Sequence, residues 1–256
     1  MKISIITVTF NSASTIKDTI VSVLAQTYED YEYLVIDGAS KDNTMDIVRS
    51  YEALFKGKLK WVSESDRGIY DAMNKGIRLS SGDVVGLLNS DDFFRDRDVL
   101  SRVAEVFDKK PDIGCTIADL CFVDSEDTSK VVRYYSSAGW HPGLFRWGVE
   151  PPHPTFYCRK AIYEKLGYYK LDYKIAADYE LMIRFLLVAG VPYEYLPMNM
   201  LCMRMGGEST KNLYNILIVN NIEAVRACRE NGVKTNLPMI LCKYIYKIKG
   251  YLHRHR

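Results

Sequence analysis

No unbroken apolar run of about 18 residues occurs anywhere in this 256-residue chain, so no transmembrane helix is expected. The six cysteines, at 115, 121, 158, 202, 228 and 242, form no Cys-x-x-Cys pair. Lying mostly in apolar runs, they read as reduced core thiols of a cytoplasmic protein, not as a disulfide framework or a zinc site. A basic n-region and a cleavage site are also missing, so no signal peptide is expected. Net charge is only +2, which supplies no bulk field for nucleic acid, and no such partner is expected. Neither a Gly-x-x-x-x-Gly-Lys-Ser/Thr loop nor a Gly-x-Gly-x-x-Gly turn follows the first strand, so the P-loop and dinucleotide readings lose their signatures.

What is present is regular alternation. Lys2 to Phe10, Tyr33 to Ile36 and Leu59 to Val62 read as strands, and Val84 to Leu88 as a fourth, nearly all apolar and so covered on both faces. Helical periods lie between them, over Ser14 to Gln26, Asn43 to Phe55 and Ile69 to Leu79. Four strands alternating with helices in about ninety residues predict a parallel, doubly wound α/β sheet. Polar residues recur at one place in each unit: Thr9 and Asn11, Asp37, Asp66, then Asp91 with Asp92. Parallel strands bring those ends to one edge, where ligands bind in open α/β sheets. Two adjacent carboxylates repel unless a cation lies beside them, and a divalent cation carrying a diphosphate would supply that charge. Each residue also has an ordinary reading: a helix cap for Asn11 or the Asp doublet, a turn for Asp37-Gly38, a solvated helix position for Asn74.

The blocks Thr7-Val8-Thr9-Phe10-Asn11, Val35 to Thr44, Glu64 to Gly76 and Asn89-Ser90-Asp91-Asp92 together resemble the family 2 glycosyltransferases of the GT-A fold. The resemblance covers the first hundred residues closely. It implies a Rossmann-like, mostly parallel central sheet flanked by helices. It also implies a nucleotide-sugar donor, a UDP-sugar by preference, and Mn²⁺ or Mg²⁺ as cofactor. By this likeness Thr7, Thr9, Asn11 and Asp37 hold the base, Asp66 lines the nucleotide pocket, Asp91 faces the ribose and Asp92 binds the metal. Asn74, in the third block, falls to the acceptor or diphosphate.

Beyond Asp92 a returning strand is expected over Val131 to Tyr135, then a loop rich in Gly, Pro and aromatics from Trp140 to Tyr157. His153 stands there between prolines, which rigidify its placement. The family likeness puts His153, with a following Arg159, beside the acceptor. Asp178 opens a helix running to Val188. It is read either as an N-cap carboxylate or, by resemblance, as the catalytic base of an inverting transfer. Gly207, Glu208 and Ser209 resemble the family's glycine turn over the diphosphate. The absence of Gln-x-x-Arg-Trp argues against a processive synthase. Residues 1–210 are expected to form the GT-A domain, with a nucleotide-sugar half at 1–110 and an acceptor half at 111–210, and residues 211–256 a C-terminal pair of helices. The last helix, Leu237 to Leu252, carries a stripe of Leu237, Leu241, Tyr244, Ile245, Ile248, Tyr251 and Leu252 beside basic residues. It reads equally as a membrane-surface element at the inner face of the cell membrane and as a helix docked on protein. The acceptor implied is a glycan or a lipid-pyrophosphate-linked sugar, in O-antigen, capsule or related surface polysaccharide assembly. A sugar-1-phosphate nucleotidyltransferase and a non-catalytic nucleotide-sugar-binding module are the rival readings.

Overall fold

β1 (Ile3–Thr9) is buried along its whole length and lies at the centre of the first half of the sheet. The computed structural model describes residues 1–206 and 218–244. β1 is followed by α1 (Ile16–Leu24), β2 (Tyr31–Asp37), α2 (Thr44–Tyr51), β3 (Leu59–Ser63), α3 (Ile69–Leu79) and β4 (Val84–Leu87). The four strands pair in parallel in the order β3-β2-β1-β4, so their C-terminal ends share one edge. Successive residues of β1 point to opposite faces, and both faces are covered. Ile6 and Val8 join α3 through Met73 and Ile77, while Ile3 and Ile5 join α1 and α2 through Ile20, Val23 and Val48. This double burial is why the strands read as continuous apolar runs.

The second half is mixed, not parallel. It comprises β5 (Phe93–Phe94), α4 (Val99–Lys109), β6 (Cys115–Val123), β7 (Val131–Tyr135), β8 (Tyr157–Arg159), α5 (Lys160–Leu166), α6 (Ala177–Met182), β9 (Tyr193–Arg204), α7 (Asn220–Glu230) and α8 (Leu237–Leu241). β8 joins the halves, running antiparallel to both β4 and β6, while β9 runs parallel to β6. Gly86 in β4 makes this junction possible, since a Cβ there would lie 2.2 Å from the ring of Tyr157. The helix that follows Asp178 widens into a π-helical turn over residues 183–188.

The six thiols are free, and five are buried. Cys115 and Cys158 touch at 3.1 Å, and Cys121 and Cys202 at 3.3 Å. Of the expected last helix, Leu237 to Leu252, residues 245–252 lie outside the described residues. In its described first part, α8, the side that packs on the core carries Ile240, not Leu237 and Leu241. Those two leucines are about 40 % exposed, because the Gly148 backbone seats directly against Ile240 and fixes the rotation of the helix. α7 also belongs to the main core, through Ala224, Val225 and Cys228.

Candidate active site

The site begins where β1, β2 and β3 end. Thr9 of β1 is in register with Asp37 of β2, which is in register with Ser63 of β3. Asp37 is fully buried. Its Oδ2 accepts from the Ser63 hydroxyl at 2.6 Å and the Ser40 N–H at 3.0 Å, and its Oδ1 from the Ser40 hydroxyl at 2.5 Å. A carboxylate has roughly four acceptor positions, so one remains on Oδ1. The turn it closes places Ala39 at φ +61°, a left-handed conformation costing roughly 1–2 kcal/mol for a residue with a Cβ. Asn11, at φ +50°, is tied to the same turn: its Oδ1 accepts from the Lys41 N–H at 2.8 Å, and its N–H donates to Ser40 Oγ at 2.7 Å. Asp66 lies across Gly38, where a Cβ would meet its Oδ2 at 2.7 Å, and its Oδ1 accepts from the Gly68 N–H. Asn11, Asp37 and Asp66 are therefore one assembly. Thr9 borders it, with a buried hydroxyl that has no protein partner. Thr7 is placed differently from expectation: one pleat further in, it is fully buried and accepts from the Tyr33 hydroxyl at 3.1 Å.

At the end of β4, Asp92 is 1 % exposed. Its Oδ2 accepts from the Asn89 amide at 3.2 Å, while Oδ1 has no partner. Burial, and then the charge of Asp91, push the Asp92 carboxyl well above the usual carboxylate range. Asp91 is half-buried, and its carbonyl accepts from Arg204 at 2.7 Å. The Ser12 and Ser90 hydroxyls, 2.8 Å apart, tie this loop to the one after β1. Among the described residues no cluster of three or more His, Cys, Asp or Glu side chains could hold a metal ion. An orphaned buried oxygen beside a second carboxylate still fits a hard cation that draws its other ligands from phosphate and water.

Asp178 sits in the first turn of α6, half-buried. Its Oδ1 accepts from the Tyr179 N–H at 2.8 Å and lies 3.4 Å from the Tyr70 hydroxyl. The chain leading to it is fixed by Glu223 of α7, whose carboxylate accepts from the N–H groups of Lys174, Ile175 and Ala176 at 2.7, 2.8 and 2.9 Å. His153 Nε2 bonds the Tyr169 hydroxyl at 2.7 Å, and the Tyr169 ring stacks on Tyr70 with centroids 5.7 Å apart. Burial lowers the His153 pKa while the Asp178 charge opposes that shift, so His153 is a neutral donor or acceptor here. Beside this group, Arg67, Tyr70, Asp71, Leu171, Asp172 and Lys174 line an open cleft of about 360 Å³.

This chain matches the family model "Glycosyl transferase family 2" over residues 4–167. It belongs to glycosyl transferase family 2. An uncharacterized glycosyltransferase of Mycobacterium tuberculosis is 34 % identical over 188 residues, 73 % of this chain and 69 % of that one. A PGL/p-HBAD biosynthesis glycosyltransferase of Mycobacterium bovis is 30 % identical over 182 residues, 71 % of this chain and 68 % of that one. Among solved structures, Staphylococcus aureus TarS 1–349 in complex with UDP superposes with a TM-score of 0.64 at 18 % identity, covering 100 % of this chain and 72 % of that one. The chain spans 43 % of the longer TarS chain. A mannosyltransferase of Pyrobaculum calidifontis, in complex with GDP-Man and Mn²⁺, gives 0.67 at 18 % identity, covering 98 % and 73 %. These likenesses show the GT-A fold. Family membership makes the chain a glycosyltransferase and removes the nucleotidyltransferase reading.

In this family 2 glycosyltransferase several residues stand apart from their sequence assignments. Asn74 faces no open surface: it is 2 % exposed, and its side chain clamps the Tyr169 backbone, donating to the carbonyl at 2.8 Å and accepting from the N–H at 2.9 Å. Arg159 pairs in register with Val84 at the start of β4, the opposite edge of the sheet from the end that leads to Asp92. There its guanidinium donates to the carbonyls of Ile113 and Pro111. Gly207, Glu208 and Ser209 lie outside the described residues. The residues that sequence reasoning missed are Tyr70, Tyr169 and Glu223. Tyr70 had a signal. With Asn74 and Arg78 it forms an i, i+4, i+8 stripe on α3, and Arg78 lies over the Tyr168 ring at 4.7 Å. Glu223 had none, since its partners are backbone groups some fifty residues away.

Proposed function

We propose that this glycosyltransferase is inverting and non-processive, and moves a sugar from a nucleoside-diphosphate donor, a UDP-sugar, to a hydroxyl of a glycan or lipid-linked acceptor. The observation that carries the reading is the orphaned Asp92 Oδ1 beside Asp91, on the same sheet edge as the Asp37–Asp66 assembly. Asp37, Asp66, Asn11 and Thr9 hold the nucleoside, Asp91 faces the ribose, and Asp92 would hold Mn²⁺ or Mg²⁺. A divalent cation bound there offsets the negative charge of the departing diphosphate. Asp178 accepts the proton of the acceptor hydroxyl as its oxygen bonds to the anomeric carbon and the bond to the diphosphate oxygen breaks on the opposite face. No covalent enzyme intermediate is needed.

The donor nucleotide is argued from TarS, solved with UDP and UDP-GlcNAc, and GDP is the alternative drawn from the mannosyltransferase. A lipid-linked acceptor follows from the family resemblance alone; the mycobacterial relative is described as a PGL/p-HBAD biosynthesis glycosyltransferase. The proposed setting is surface-glycan assembly of the O-antigen, capsule or glycolipid kind, by a cytoplasmic enzyme peripheral to the inner face of the membrane. No helix among the described residues is long and apolar enough to cross a membrane. Thermal-shift titration with UDP and GDP, each with and without Mn²⁺, followed by transfer assays with lipid-pyrophosphate-linked sugars, tests the proposal. Metal-dependent stabilisation by one nucleotide, lost in Asp92→Asn, is expected. Indifference to every nucleoside diphosphate would overturn it.

A further inference from the structure

The direction of a side chain is set by the two planar peptide groups that flank its Cα. At Asp92 both are pinned. The first joins Asp91 to Asp92. Its N–H donates to the Asn89 carbonyl at 3.1 Å, and its C=O, that of Asp91, accepts from the Arg204 guanidinium at 2.7 Å. The second joins Asp92 to Phe93, and its C=O accepts from the Thr19 hydroxyl at 2.7 Å. Arg204 and Thr19 are both buried. Two neighbours on α1 supply the anchorage: Thr19 acts directly, while Asp18 pairs with the other arm of the Arg204 guanidinium. That guanidinium also lies over the Phe93 ring, 5.3 Å from its centroid. Arg204 reaches the doublet because β5 and β9 pair antiparallel, Phe93 with Cys202 and Phe94 with Leu201. The same register, continued by two residues, sets Arg204 opposite Asp91. With the backbone fixed and Oδ2 held by the Asn89 amide, Asp92 Oδ1 is left facing a place where no described residue meets it.

We propose that Arg204 and Thr19 are positioning residues for the cation site: they lock the peptide planes on either side of Asp92 and so hold its unpartnered oxygen in place for the cation. The inference rests on the reading of Asp92 as the metal-binding carboxylate. It makes the site larger than the Asn89–Asp92 block. One restraint comes from α1 and the other from the last residue of β9, beyond the residues 4–167 that the family model matches. Two effects of Arg204 oppose each other, because its fork orients the ligand while its charge repels a cation. Asp18 lies on the guanidinium and offsets that charge, so orientation is the larger effect.

Two variants alter the restraints without altering the charge. Arg204→Lys keeps the cation but loses the planar fork that joins the Asp91 carbonyl to Asp18. Thr19→Val keeps the shape and removes the donor to the Asp92 carbonyl. Three measurements on the full chain decide the matter: Mn²⁺ uptake in the presence of UDP, by electron paramagnetic resonance against a protein-free UDP blank; UDP affinity in EDTA, by calorimetry; and Tm, which confirms folding. The expected result is a Mn²⁺ Kd weaker by about tenfold or more in each variant, the usual effect of removing an outer partner of a metal ligand. UDP affinity in EDTA should stay within about twofold of wild type, because the Asp37–Asp66 assembly is untouched. A Mn²⁺ Kd equal to wild type in both variants overturns the proposal. So does an equal loss of UDP affinity in EDTA, which marks a general loosening of the sheet edge. If one variant does not fold, the other decides by the same readings. Asp92→Asn separates the two layers. If it takes up Mn²⁺ as wild type does, the metal reading of Asp92 fails and the inference with it. If it loses Mn²⁺ while Arg204→Lys and Thr19→Val keep it, only the positioning role fails.

Discussion

Glu32 offers a measurable test of how this sheet is held at its other edge. It is 2 % exposed, near the start of β2. Its Oε1 accepts from the Ser4 hydroxyl at 2.7 Å and from the Ser81 N–H, and its Oε2 from the Ser81 hydroxyl at 2.8 Å and from the ammonium groups of Lys60 at 3.0 Å and Lys2 at 3.4 Å. Burial alone would push the carboxyl up. The bonds from Ser81, Ser4 and Lys60 outweigh it and hold the pKa down to about 2. A folded-state value below the unfolded one means that the stabilisation is complete above the unfolded pKa, near 4.5, and is lost as pH falls toward 2. At about 1.4 kcal/mol per pH unit, the full contribution at neutral pH has an upper bound between about 3 and 4 kcal/mol. Glu32→Gln keeps the shape and removes the charge. Urea unfolding at pH 7 is expected to show a loss of about 2–3 kcal/mol, with Tm lower by roughly 5–10 °C. At pH 3.5 the gap between the two proteins shrinks by about 1.4 kcal/mol. A gap that stays constant between pH 7 and pH 3.5 would refute the reasoning, because a purely steric defect has no such slope.

Asp178→Asn retains an oxygen to accept from the Tyr179 N–H. It should therefore lower kcat by about 10²–10⁴-fold while donor binding persists, which calorimetry and a nucleotide-release assay would show. EDTA should abolish transfer, and Mn²⁺ or Mg²⁺ should restore it; full activity in chelator would remove Asp92 from its proposed role. Gly86→Ala sets a methyl group against the Tyr157 ring and should cost about 1–3 kcal/mol by chemical denaturation. Glu223→Ala strips the acceptor from three consecutive N–H groups and should reduce kcat about tenfold or more, with Glu223→Gln falling between it and wild type in the same assay.

The donor half was legible because its instructions are local. An apolar run, a polar strand end and a helical period each occupy a few neighbouring residues, so β1 to β4 and the edge bearing Asp37, Asp66, Asp91 and Asp92 could be read directly. Sequence patterns could not say which polar groups open onto that edge and which are consumed by the protein. Thr7 and Asn74 resemble site residues by position, yet each spends its polar atoms on a buried partner, Tyr33 or Tyr169. Arg159 shows the same limit in topology. A segment that follows a loop near the site can cross the sheet antiparallel, and three residues of β8 carry the chain to the far edge. The rotation of α8 depended on one backbone contact at Gly148, which no periodicity reports.

The family match ends at residue 167, before Asp178 and well before Glu223. The segment that carries Asp178 and Glu223 thus lies beyond the matched region, yet it is bolted to that region in space. One fastening is the α3 stripe of Tyr70, Asn74 and Arg78 against residues 168–178; the other is Glu223. A hybrid enzyme built by exchanging acceptor modules between relatives would need to inherit both matched surfaces. A chimaera joined only where the pattern changes would bind its nucleotide and leave its base adrift.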